Sequence, residues 1–350
     1  MKKYLIIGLS IISLAFLSGC SLKNPISSGG TSNSGSIWKS SDGGKTWEFK
    51  NKTGEKTILP AVDVLSIAIS PTDPNKVLFG TRENGIIFTK DGGENLETTN
   101  FTSGKVYGLE INPRDENVVY ASGVWQGRGK IFKSQDFGKN WKEIYTSAAN
   151  GPLVVSITID TNNPNIIYAS TSDNQIIKTN NEGEAWKNIF TGQNPVLKVA
   201  IDKSNSSLIY FVTTGAIERS KNGGADFEDI SKQAIDKETG NRDFSVVVTD
   251  PYNGSWVYAA GGMGILRSKN SGDTWEKVNI LNNPQNFPVK AVSINPANSR
   301  EIIYGASQAA YKSADEGTNW STFQFESSKS VKVLRHSTVD PNVIYLGLSK

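Results

Sequence analysis

The chain is nearly devoid of sulfur and imidazole. Its 350 residues hold one cysteine, one histidine and two methionines. A single cysteine excludes internal disulfides and leaves the folded part without thiol chemistry. No metal-ligand spacing and no phosphate-cradling glycine loop occurs, so no metal and no cofactor are expected. No stretch keeps a helical period. The one apolar run, Leu5 to Leu17, is too short for a comfortable membrane span.

That run follows Lys2 and Lys3 and precedes Ser18-Gly19-Cys20. A basic start, a short apolar stretch and small residues at the cut site read as a secretory signal over residues 1–19. Leu17-Ser18-Gly19-Cys20 resembles the bacterial lipobox. The resemblance implies cleavage before Cys20, lipidation of its thiol, and an exported protein anchored to the outer face of the cell membrane or to the outer membrane. Residues 20–35 are rich in Ser, Gly and Asn and read as a flexible tether. Removing the signal takes away Lys2 and Lys3 and leaves 35 basic against 34 acidic residues. This balance argues against nucleic acid as a partner.

What is abundant is repetition. The phrase Ser40-Ser41-Asp42-Gly43-Gly44-Lys45-Thr46-Trp47 recurs from Thr89, Ser134, Thr179, Ser220, Ser268 and Ser313. A period of about 45 residues marks a repeat architecture. Each repeat begins with a hairpin pattern, such as Val64–Ser70, a Pro/Asp/Asn turn, and Lys76–Gly80. Six of seven such hairpins end in Tyr, and one ends in Phe79. A strand enters the phrase and another leaves it, giving four strands, A to D, per repeat. The expected fold is all-β, a seven-bladed β-propeller of four-stranded antiparallel blades over residues 36–350. The chain opens on a C–D half and closes on an A–B half. Pairing them closes the ring through one blade shared by the N- and C-terminal strands and leaves no exposed edge.

Within the phrase, position five is always Gly, as a tight turn with positive φ requires. Position eight is Trp47, Leu96, Trp141, Trp186, Phe227, Trp275 or Trp320, suited to the wedge between blades. Position three is Asp42, Asp91, Asp136, Asn181, Asn222, Asn270 or Asp315. Both types accept turn N–H groups, but only Asp can serve as acid, base or cation ligand. Three asparagines therefore make this a structural turn position. The basic residue preceding the phrase in six copies, such as Lys133 or Arg219, reads as a solvated edge that blunts strand pairing.

The phrase resembles the Asp-box, or BNR repeat. That motif occurs in sialidases, xyloglucan-degrading endoglucanases, sortilin-type receptors and photosystem II assembly-factor-like propellers. The resemblance implies that the box lies away from the ligand face. It also sets the sialidase requirement for an arginine triad, which the eight arginines do not provide.

Candidate binding residues are therefore sought on the D–A and B–C loops, where a protein or carbohydrate partner is expected. Gly123–Gly129 is read as a longer loop in which Trp125, beside Arg128, lies outside the strands. Two readings stand there: an exposed binding residue, or an indole folded over its own blade. Arg82, Glu83, Arg242 and Asp243 complete the candidates, the last two in a charged loop from Ser231. Asp63, Glu83, Asp173 and Asp243 are the loop acids that a glycosidase would need in pairs. Glu110 and Arg335 replace small residues on strand A and are expected to line the axial channel, as an internal ion pair or a solvated plug. His336 is expected in the core. With no catalytic residue identified, the expected function is a monomeric, non-catalytic envelope lipoprotein that binds or assembles partners. The alternative is a surface-anchored glycan hydrolase.

Overall fold

The computed structural model describes residues 35–53, 57, 58, 62–101, 104–234 and 242–350. The signal, Cys20 and most of the tether lie outside the described residues. Seven four-stranded antiparallel sheets form a seven-bladed β-propeller. Blades 1 to 6 follow in chain order, with inner strands Val64–Ile69, Lys105–Asn112, Val154–Ile159, Val196–Ile201, Phe244–Thr249 and Val289–Asn295. Blade 7 is composite. Its inner pair is Ser330–His336 and Ile344–Ser349, and Ile37–Ser40 adds to the latter in the register Trp38↔Leu346. The two chain halves thus close the ring as their repeat count requires. A short two-stranded ribbon, Lys52–Thr53 with Thr57–Ile58, lies in the connection from blade 7 to blade 1.

The core sits at the seams between blades. The described residues form seven apolar clusters, and each draws residues from two adjacent blades. Trp141 packs against blade 1, and Trp47 meets Phe325 of blade 6 edge-on at 5.9 Å. A single blade exposes both sheet faces, so burial of these side chains needs a neighbour on each side.

The repeated phrase folds identically seven times. The hydroxyl at position one accepts the N–H of the Gly at position five, as from Gly44 to Ser40 at 2.7 Å and from Gly317 to Ser313 at 2.8 Å. The side-chain oxygen at position three accepts the N–H four residues on, whether Asp42 (2.9 Å) or Asn181 (3.0 Å). Gly44 and its six counterparts have φ between 81° and 95°, where a Cβ is strained.

The preceding basic residues overturn the solvated-edge reading. Arg219 is 4% exposed and binds Glu228 of its own blade and Asp273 of the next at 2.7 Å each. Lys178 donates to the Gly223 carbonyl in the next blade, and Lys133 pairs with Glu182. The side chain on strand C leans sideways into the seam, so these cations clamp one blade to the box turn of its neighbour.

Candidate functional site

One face of the ring carries the box turns and the A–B turns; the other carries the D–A and B–C connections. Each inner strand enters the ring from the second, loop face. There all seven make the same irregularity: two residues oppose one on strand B, between Val64 and Ser66 in blade 1 and at the equivalent place in every other blade. The extra residues are Leu65, Tyr107, Val155, Leu197, Ser245, Lys290 and Lys332. A β-bulge bends its strand and re-aims one side chain. All seven line a cavity of ≈ 360 Å³ on the propeller axis.

The ring of bulge residues is sharply divided. Blades 1 to 4 supply a continuous apolar arc, Leu65, Tyr107, Val155 and Leu197. Blades 5 to 7 supply Ser245, Lys290 and Lys332. One position deeper, blade 4 adds Lys198, and deeper still blade 7 adds Arg335. Arg335 pairs with Glu110 of blade 2 at 3.3 Å, reaching across the position of blade 1. Among the described residues, neither Asp nor Glu lines the cavity. Desolvation in the channel, then the charge of Arg335, pull the Lys198 ammonium down to about 8, with Glu110 opposing. Desolvation, then Lys290 and Arg82, also lower Lys332.

His336 is half-buried on the channel wall, not in a seam core. Its Nδ1 shares a 2.7 Å hydrogen bond with Ser293 Oγ of blade 6, and burial holds the ring neutral with a pKa near about 3. The exposed end of the strand brings it beside the neighbouring inner strand, where a hydroxyl can reach it.

The connection from Asn279 to Pro288, which leads from blade 5 into the inner strand of blade 6, is braced internally. Asn282 Nδ2 donates to the Phe287 carbonyl at 2.7 Å, and the Phe287 N–H donates to the Asn283 carbonyl at 2.9 Å. It presents Leu281 and Phe287, 60% and 50% exposed, three residues and more before Lys290.

Comparisons with known proteins converge on one architecture. A family model described as photosynthesis system II assembly factor YCF48 matches residues 193–349. A sortilin from Danio rerio is 26% identical over 159 residues, covering 44% of this chain and 19% of that protein. A xyloglucanase from Paenibacillus sp is 24% identical over 228 residues, covering 61% and 21%. The chain thus spans about a fifth of the length of these curated relatives. Among solved structures, YCF48 bound to D1 peptide matches with a TM-score of 0.61 at 12% identity, covering 86% of this chain and 96% of that one. The GH74 enzyme of Niastella koreensis matches at 0.64 and 18%, covering 85% and 52%. The chain is thus similar in sequence and in fold to Asp-box (BNR) β-propellers.

In this propeller the sequence-named candidates fall on separate blades. Arg82 binds Asp63 at 3.0 Å and donates to Ser349 Oγ and the Lys350 carbonyl, so it ties blade 1 to blade 7. Asp63 also takes Lys329 at 3.0 Å. Burial raises the Asp63 carboxyl, but hydrogen bonds from Lys329, Lys350 and Arg82 outweigh it and leave the pKa low. Glu83 is exposed beside it. Trp125 is not in a loop: it is the last residue of strand B, Asp115–Trp125, and pairs with Arg128 across the two-residue turn Gln126-Gly127. Both turn residues have positive φ, 51° and 74°, which tightens the hairpin and lengthens its strands. The half-buried indole packs on Phe101 (centroids 4.7 Å apart) and on Phe132 (6.0 Å). Arg242 and Asp243 are exposed at the entry to blade 5, after the short helix Ser231–Ala234; residues 235–241 lie outside the described residues. Asp173 is exposed on blade 3 and accepts from Thr171 and Gln175.

Sequence reasoning passed over Lys198, Lys290 and Lys332. The signal was an ionised residue where the repeats otherwise place apolar or small ones, but the bulge that turns those positions to the axis leaves no trace in composition. Among the described residues, no three His, Cys, Asp or Glu side chains gather as a metal-holding group.

Proposed function

We propose that this chain is a non-catalytic extracytoplasmic binding propeller, held at a membrane surface by lipid on Cys20, which docks a segment of a partner protein on its loop face. The observation that carries this reading is the braced Asn279–Pro288 connection, a D–A connection of the loop face, which holds Leu281 and Phe287 toward solvent. An ordered, exposed apolar pair on a rigid scaffold fits a protein hot spot. The likeness to YCF48 bound to D1 peptide supports the same reading, as a ring of the same architecture with a peptide ligand. The loop acids Asp63, Glu83, Asp173 and Asp243 belong to blades 1, 3 and 5, and Asp63 is committed to Arg82 and Lys329. That distribution favours binding over paired-carboxylate hydrolysis.

The test is site-specific crosslinking in cells, with a photoreactive residue in place of Phe287. A discrete protein adduct is expected, reduced at least tenfold by Leu281→Ser. Adducts unchanged by Leu281→Ser, or release of reducing ends from a polysaccharide panel by the purified mature protein, would overturn the reading. Cys20→Ser is expected to move the protein from the membrane to the soluble fraction; retention in the membrane would remove the lipid anchor.

A further inference from the structure

Several cations elsewhere in the ring are matched at close range. Lys50 lies 2.5 Å from Glu94, Lys76 2.6 Å from Glu116, Arg267 2.7 Å from Glu276, and Lys329 3.0 Å from Asp63. Even on the axis, Arg335 has Glu110. Lys198, Lys290 and Lys332 gather at one cavity: all three line it, and among the described residues none makes an ion pair or a side-chain hydrogen bond. Lys198 is half-buried and Lys290 and Lys332 are exposed at the mouth; like charges gathered around one cavity repel one another and favour an anion between them. The cavity that holds them, ≈ 360 Å³, has room for a small organic molecule.

The opposite side of the same mouth is the apolar arc of Leu65, Tyr107, Val155 and Leu197. A purely inorganic anion would leave that arc facing water. A purely apolar ligand would leave the ammonium groups unmatched. We propose that the axial cavity is a binding site for a small amphiphilic anion, a carboxylate or phosphate carried on an apolar body. Lys198, Lys290 and Lys332 take the anionic group, and the arc of blades 1 to 4 covers the apolar part. The site differs from the docking loop at Leu281 and Phe287, and it stands or falls independently of protein docking.

Titration calorimetry on the mature protein at low ionic strength tests the assignment. The probes are acetate, hexanoate, decanoate, inorganic phosphate and hexyl phosphate. One saturable site is expected, with affinity rising from acetate to hexanoate; comparing hexanoate with hexyl phosphate separates the two anion classes. Lys198→Met is expected to weaken hexanoate at least tenfold, and Leu197→Asn to weaken hexanoate but not acetate. Affinity is expected to fall between pH 7 and pH 9.5 as Lys198, set between Arg335 and Glu110, loses its proton. Because Lys198→Met removes an unmatched cation, its ligand-free Tm should equal or exceed that of the parent, so loss of binding cannot be laid to misfolding. Absence of saturable binding by every probe, unchanged binding in Lys198→Met, or equal affinity for acetate and hexanoate would each overturn the proposal.

Discussion

The Tyr210 hydroxyl of blade 4 donates to the Ser271 carbonyl of blade 5, 3.2 Å away, and the Arg219 guanidinium donates to the same oxygen. Ser271 is position four of a box turn, with φ 58°. The box of one blade is therefore held by the tyrosine and the cation of the blade before it. Tyr168 and Lys178 repeat the arrangement on Gly223. At these two seams the motif that sets the turn also supplies the acceptor that locks one blade to the next.

Loosening this lock should be graded. Tyr210→Phe removes one hydrogen bond and is expected to cost about 1 kcal/mol. Arg219→Met strips the seam of its contacts to Asp273, Glu228 and Ser271 and is expected to cost about 2 kcal/mol. Chemical denaturation should give a single transition in both variants, with a lower midpoint and an unchanged slope. A smaller effect for Arg219→Met than for Tyr210→Phe would assign the cation to the solvated edge after all.

The box aspartates should govern the acid limb. Hydrogen bonds from Asn319, its N–H foremost, and from Ser313 hold Asp315 down at about 2. In Asp42, Asp91 and Asp136 the hydrogen bonds outweigh a desolvation that acts upward, and the pKa is again lowered. A carboxylate with a depressed folded pKa stabilises fully above its unfolded pKa, near 4, and ceases to do so as pH falls through the folded value. Asp315→Asn keeps the acceptor oxygen, as at Asn181, but cannot be protonated. Its Tm is expected to lie slightly below the parent's at pH 7 and to converge with it between pH 4 and pH 2. A constant gap across that range would count against the turn as the source.

Glu218 should act in the opposite sense. Burial, and then Asp229 directly across the strand pair, raise its carboxyl to about 7. The folded state holds the proton more tightly than the unfolded one, so stability is full below about pH 4.5 and falls as pH rises through 7. Glu218→Gln is expected to raise Tm at pH 8 by roughly 2 °C, the scale of about 1 kcal/mol in a large domain. At pH 4.5 the variant and the parent should coincide. A gain at both values would point to packing, not titration.

Trp125 should report on its hairpin. Trp125→Ala removes the indole from Phe101 and Phe132 and is expected to cost about 2 kcal/mol, with Trp125→Phe restoring most of it. Crosslinking from position 287 can be read in the same variants. If the Phe variant regains stability but not the adduct, the indole itself belongs to the docking face.

The sequence by itself determined the period, the blade count and the way the ring closes. These follow from local signals: alternation along each strand, Gly where φ must be positive, and a half-repeat at each end. It also determined that the box is a turn, because Asn181, Asn222 and Asn270 accept the same N–H groups as the aspartates do. Tertiary structure alone decided which lysines turn to the axial cavity and which cations clamp the seams. Lys198, Lys290 and Lys332 are far apart in the chain and meet only because closure brings blades 4, 6 and 7 around one cavity. Their direction depends on a bulge, which is a mismatch between one strand and its partner and is written in neither alone. Arg219 looks like a surface cation until blade 5 brings Asp273 beside it. Local pattern fixes the unit; the neighbour across the seam fixes what each unit's side chains do.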